Sequence, residues 1–169
     1  MHDIMKEFTI DTRIRSYAWD ELSEADKQLL EEAKRKTQDS YSPYSHFCVG
    51  AAALLADGTI MGGCNQENAA YPSGLCAERT VLFAAGAQHP DLPVKALAIA
   101  AFTDGHFTQD PVSPCGACRQ VMLETESRYK QPMRVLLFGA NHVYEFNSAE
   151  SLLPFSFISD DLKGGVRER

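Results

Sequence analysis

YPSGLCAER at residues 71–79 and SPCGACR at residues 113–119 are the two stretches on which the reading of this chain turns. Together they supply Cys76, Cys115 and Cys118, and Glu78 follows the first cysteine by two positions. Three thiolates leave a tetrahedral zinc one ligand short, and an open vertex is what separates a catalytic zinc from a structural one. That vertex can take a water, and a carboxylate beside it can take the water's proton. The pattern points to zinc-assisted hydrolysis.

The local geometry supports a single site. Ser113-Pro114 reads as a helix N-cap followed by proline at the first helical position, so a helix is expected over 114–127. Cys115 and Cys118 then share a face in its first turns. Pro72, Ser73 and Gly74 break the chain ahead of Cys76, and AERTVLFAAGA at 77–87 has helix-forming composition. All three thiols therefore sit near helix N-termini, where the positive end of the dipole favours the thiolate that a metal requires. Cys76 and Glu78 diverge along a regular helix, so they converge only on a metal lying beyond the helix tip.

Between these helices, the apolar run at 94–102 reads as a strand buried on both faces. Upstream, 47–56 and 59–64 read as strands joined by Asp57-Gly58, a strong hairpin signal. Downstream, 133–138 and 143–146 pair across Gly139-Ala140-Asn141. SEADKQLLEEAKRKTQ reads as the first helix, with Ser23 as cap, Asp26 three residues on, and Ala25, Leu29, Leu30 and Ala33 as its buried stripe. Glu31, Glu32, Lys34, Arg35 and Lys36 read as its solvated face. Strand–helix–strand crossovers require a parallel pair, and the two hairpins add antiparallel ones. The expected fold is α/β, three layers of α/β/α around one mixed five-stranded sheet. Residues 1–22 are expected as an N-terminal arm, in which 8–17 fits a strand or a docked segment, and 23–169 as a single domain.

A chain of 169 residues, 44% of them hydrophobic, buries a full core without staples. Sixteen basic against 23 acidic residues leave a net charge of −7, the wrong sign for a sequence-independent nucleic-acid binder. There is no apolar run of 18 residues, and MHDIMKEFTIDTR lacks the apolar core of a signal peptide, so no membrane partner is expected and the cytoplasm is the expected compartment. Five cysteines, three of them with a metal role, argue against a disulfide framework. The competing reading of the metal is a structural four-cysteine site completed by Cys48 or Cys64. Both of these fall within strand patterns, where a free cysteine behaves as a small buried hydrophobe. A redox role and a metal-free one stay open.

Four stretches carry a resemblance: YSPYSHF running on into VGAA within 41–52, GCNQENAAYPSGLCAERT at 63–80, SPCGACRQV at 113–121 and LLPFSF at 152–157. They resemble the cytidine deaminase family, in particular its small homotetrameric form with a three-cysteine zinc site, and the likeness spans about residues 23–162. It implies a zinc cofactor held by Cys76, Cys115 and Cys118, and Glu78 as proton shuttle from the attacking water to N3 of cytosine and to the departing amine. It implies that Arg79 hydrogen-bonds the cysteine ligands and offsets their charge, where the plain reading is a surface ion pair. Asn65 and Glu67 would hold the ribose 3′-hydroxyl rather than being polar loop residues. Phe47 would wall the pyrimidine rather than being ordinary core, and Ala77 would contact substrate. Phe157 would enter a neighbouring subunit's site rather than dock on its own, giving a homotetramer with shared active sites.

The sequence departs from the family at Gln66, where relatives usually carry an apolar residue, and in the arm before Ser23. His46 reads as a hydrogen-bonded loop residue. The implied activity is hydrolytic deamination of cytidine and 2′-deoxycytidine to uridine and 2′-deoxyuridine in pyrimidine salvage. The alternatives are a deaminase of a cytosine-nucleoside antibiotic of the blasticidin type, whose relatives lack the Asn-x-Glu pair, and a non-catalytic zinc-stabilised module. Polynucleotide editing needs a basic single-strand channel, which the acidic balance disfavours.

Overall fold

In the central strand, Val94–Thr103, alanines on one face and larger residues on the other set the layering of this chain. The structure is a computed structural model that describes residues 5–164. Its elements are β1 (Arg15–Tyr17), α1 (Glu24–Lys36), β2 (Cys48–Leu55), β3 (Ile60–Cys64), α2 (Ala77–Gln88), β4 (Val94–Thr103), β5 (His106–Phe107), α3 (Gly116–Tyr129), β6 (Arg134–Phe138), β7 (Val143–Phe146) and the short α4 (Ser159–Leu162). One mixed sheet runs β1-β7-β6-β4-β2-β3, with β5 paired to β4 off that path. β4 and β6 are parallel, with α3 between them in the chain, and the other pairs are antiparallel.

The sheet therefore has seven strands, not the five expected. The additions are the two shortest, three residues in β1 and two in β5. Strands so short carry no readable period, and they exist because a neighbouring edge offers its N–H and C=O groups. β1 extends the sheet beyond β7, with Arg15 opposite Glu145 and Tyr17 opposite Val143. β5 folds back on β4 through Asp104-Gly105, both at positive φ (52° and 82°), as a two-residue hairpin turn demands.

Ala52, Ala96, Ala98 and Ala100 form the face that packs on Leu29, Leu30 and Ala33 of α1. The opposite face, with Leu55, Leu97, Ile99, Val135 and Leu137, packs on Val81 and Leu82 of α2 and Met122 of α3. β4 is buried on both sides, as its apolar run requires. Two glycines set how closely the layers approach. A Cβ on Gly50 would lie 2.0 Å from the Ala33 carbonyl oxygen of α1. One on Gly63 would lie 2.9 Å from Val81 N and 3.2 Å from the Ala77 carbonyl oxygen. The absent side chain at Gly63 thus lets the first turn of α2 press against β3, which places Cys76 and Glu78.

The first helix differs from expectation at Ala25, which is exposed. Its neighbour Asp26 turns inward instead, accepting from Arg134 Nη2 at 3.1 Å while Arg134 Nε donates to the buried Glu145 at 2.8 Å. Ser23 caps the helix as expected, its Oγ accepting from Asp26 N at 3.1 Å. Lys34 leaves the solvated face: its Nζ lies 5.1, 5.4 and 5.0 Å from the ring centres of Trp19, Phe107 and Phe138. Among the described residues no helix is long and apolar enough to cross a membrane.

Candidate metal centre and adjoining cavity

Two helix N-termini bring the cysteines together. Cys76 is the N-cap of α2 and Cys115 the N-cap of α3, both with extended backbone, and Cys118 lies in the first turn of α3. The helix was expected to start at Pro114, with Ser113 as its cap. It starts two residues later because the Pro114 carbonyl accepts from Arg119 Nε at 2.9 Å, while the Cys115 carbonyl takes the first helical hydrogen bond, from Arg119 N at 3.0 Å. The N-cap position frees the Cys115 side chain from the helical direction, so that its sulfur meets the other two.

Cys76 Sγ lies 3.9 Å from Cys115 Sγ, which lies 3.5 Å from Cys118 Sγ, and all three fall within 4.8 Å of one another. A tetrahedral zinc with Zn–S of about 2.3 Å sets its sulfurs about 3.8 Å apart, so the cluster fits one zinc ion. It has three members among the described residues. Cys48 and Cys64 lie outside it: Cys48 Sγ is 3.2 Å from Ser42 Oγ, and Cys64 donates to the Asp39 carbonyl at 3.2 Å. They begin β2 and end β3, the strand positions expected of them.

Glu78 is buried, 4% exposed, and its Oε2 has no hydrogen-bond partner. Burial pushes its carboxyl up from the ordinary range, and the nearby Cys76 adds to the shift. Arg79 Nη2 points to Cys76 Sγ at 3.8 Å, and its buried Nε is unpartnered. The Cys76 thiol is pulled down, first by its hydrogen bond with Cys118 and then, against desolvation, by Arg79 and Cys115. A buried carboxylate atom and a buried guanidine N–H without partners beside three thiols are what a polar group bound there would satisfy.

A cavity of about 670 Å³ opens against the cluster, and Cys76, Cys115, Glu78 and Arg79 line it together with Phe47, Asn65 and Glu67. These seven are residues singled out from the sequence; the wall has nineteen, and Tyr44, Tyr71, Ile99 and Val112 are among the others. Ala77 and Cys118 are fully buried and do not line the cavity. Phe157 is 58% exposed and lies outside the cavity of its own chain, its carbonyl accepting from Gln120 Nε2 at 2.8 Å. Gln66 sits between Tyr41 and Leu75 in isolated backbone bridges, and its amide donates to Cys64 Sγ at 3.2 Å, which accommodates a polar side chain there.

Two serines escaped the sequence reading. Ser40 donates to Asn65 Oδ1, and Ser45 donates to Glu67 Oε1. Ser45 Oγ also accepts from Phe47 N at 3.0 Å, a serine turn signalled by the S-x-F spacing. His46, exposed between them at a φ of 56°, donates its N–H to the Ser42 carbonyl at 3.0 Å, in keeping with a loop role.

Fold and cluster together define a zinc-binding α/β/α protein whose metal faces a ligand-sized cavity. Residues 23–131 match the family model described as the cytidine and deoxycytidylate deaminase zinc-binding region. The cytidine deaminase of Sporosarcina psychrophila is 44% identical over 136 residues, covering 80% of this chain and 93% of that protein. That of Halalkalibacterium halodurans is 40% identical over 136 residues, covering 80% and 96%. The crystal structure of cytidine deaminase from Burkholderia pseudomallei superposes with a TM-score of 0.67 at 42% identity, covering 78% of this chain and 98% of that one. The chain belongs to the cytidine deaminase family.

Proposed function

We infer that the protein catalyses zinc-dependent hydrolytic deamination of cytidine and 2′-deoxycytidine, releasing ammonia and the uracil nucleoside in pyrimidine salvage. The observation that carries this reading is buried Glu78, which lines the cavity beside three converging thiols and keeps its Oε2 unpartnered. Cys76, Cys115 and Cys118 would hold the zinc, which would supply the Lewis acidity that lowers the pKa of water. Glu78 takes the proton of the attacking water and passes it to N3 of the pyrimidine as oxygen adds at C4. The carboxylate then takes the proton of the new C4 hydroxyl and delivers it to the exocyclic amine, so the C4–N bond breaks as the C4=O bond forms, and ammonia leaves. Raised by burial, the carboxyl is suited to carry that proton in both directions.

Arg79 draws charge from Cys76 Sγ, offsetting the three thiolates that would otherwise weaken the Lewis acid. Phe47 walls the pyrimidine, and Asn65 and Glu67 receive the 3′-hydroxyl of the sugar. Ala77 is fully buried outside the cavity wall, so a substrate contact there is no part of this reading. Phe157, exposed on its own subunit, completes a neighbour's cavity in a homotetramer. A net charge of −7 speaks for a free nucleoside rather than a polynucleotide. The free thiols suit the reducing cytoplasm.

Substrate comparison tests the assignment. A site built to bond a hydroxyl rejects a ligand lacking it by about 10⁴–10⁵. Followed by ultraviolet absorbance and ammonia release, cytidine is turned over, and free cytosine reacts slower by about that factor. Comparable rates on both would remove Asn65 and Glu67 from substrate recognition.

A further inference from the structure

The chemistry above gives Ser45 no part, yet its hydroxyl joins two residues assigned to the nucleoside. An ionised carboxylate offers about four lone-pair sites. One dipeptide fills three of those on Glu67: Tyr44 N–H at 2.9 Å and Ser45 N–H at 3.2 Å on Oε2, and the Ser45 hydroxyl on Oε1. Because Ser45 Oγ accepts from Phe47 N–H at 3.0 Å, its own proton is directed to the carboxylate. The left-handed His46 between them turns the chain so that both bonds form. A single acceptor site on Oε1 is left for a ligand.

Asn65 is equally committed. Its Oδ1 accepts from the Ser40 hydroxyl and from Val49 N–H at 2.8 Å, and its Nδ2 donates to the Phe47 carbonyl at 2.9 Å. One N–H remains. The pair thus offers one acceptor and one donor, the pattern that a single hydroxyl satisfies.

We propose that Ser45 is a positioning residue that sets the specificity of this site for a sugar bearing that hydroxyl, by holding the Glu67 carboxylate in the rotation that leaves its last lone pair to the ligand and tying it to the Phe47 wall. This rests on the reading of Asn65 and Glu67 given above. Replacing Ser45 frees the carboxylate to turn and to be filled by water. The loss falls on substrates that use the hydroxyl and spares those that lack it.

The test compares steady-state kinetics on cytidine and 3′-deoxycytidine for the wild type, Ser45→Ala, Ser45→Thr, Glu67→Gln and the double variant Ser45→Ala/Glu67→Gln. Ser45→Ala raises KM for cytidine about tenfold, as expected for one hydrogen bond to a charged group, while kcat changes less than about threefold. Its KM for 3′-deoxycytidine stays within about twofold of the wild type, and Ser45→Thr restores the cytidine KM to within about threefold. In the Glu67→Gln background, Ser45→Ala costs nothing further. An equal loss on both nucleosides, or the full loss in the Glu67→Gln background, overturns the role of Ser45 and leaves that of Glu67 standing. A wild type that treats the two nucleosides alike overturns the reading of Asn65 and Glu67, and the proposal falls with it.

Discussion

Glu78→Ala is expected to bind zinc in full while releasing ammonia from cytidine at least about 10³-fold more slowly than the wild type. General acid–base groups contribute about 10²–10⁴ in rate, and this carboxylate serves two proton transfers. Metal binding survives because the thiols of Cys76, Cys115 and Cys118 make the cluster without it. Stability should hold or rise, since the variant removes a buried oxygen with no partner. The combination matters, because metal retained, fold intact and turnover gone separates catalysis from a scaffold role. A variant with the wild-type rate would make this a zinc-stabilised module instead.

Removing the zinc is the second large effect. Dialysis against a strong chelator should abolish activity and lower Tm by about 10 °C. A ligand held at about a thousandfold over its Kd contributes about 4 kcal/mol, and a domain of this size shifts by about 2–4 °C per kcal/mol. Removal takes away the one ligand that Cys76 at the start of α2 would share with Cys115 and the fully buried Cys118 at the start of α3. Stoichiometric zinc should restore both quantities. Calorimetry and the ammonia assay, run on the same samples, check this. Full activity in a protein shown by elemental analysis to lack zinc would contradict it. So would a Tm that does not move on metal removal.

The centre was legible because its chemistry is local in sequence. Cys115 and Cys118 share one turn, Glu78 follows Cys76 by two positions, and each group opens a helix. What brings the two groups within reach is less legible: Gly63 opens the matched stretch at 63–80, but nothing in the spacing says that its missing side chain seats α2 against β3. The strand count failed at β1 and β5, whose few residues have no period. Asp104-Gly105 was nevertheless the same signal that revealed the hairpin at Asp57-Gly58, and applying it would have found β5. β1 falls inside 8–17, which reads as a strand or a docked segment, but its pairing had no cue, because it depends on an edge that β7 presents more than a hundred residues away. The displaced start of α3 has a different cause. Ser113-Pro114 satisfies the rules for a helix start, yet Arg119 captures the Pro114 carbonyl, a contact that spacing rules do not weigh. The Arg134 link between Asp26 and Glu145 was invisible for the reason that hid β1.

Zinc-edge X-ray absorption on the purified protein bears most directly on the open vertex beside Glu78. The spectrum should show three sulfur neighbours at about 2.3 Å and one lighter neighbour at about 2.0 Å, without the outer-shell pattern of an imidazole ring. Four sulfurs, or three with a histidine, would close the vertex with protein and contradict the catalytic reading of this centre.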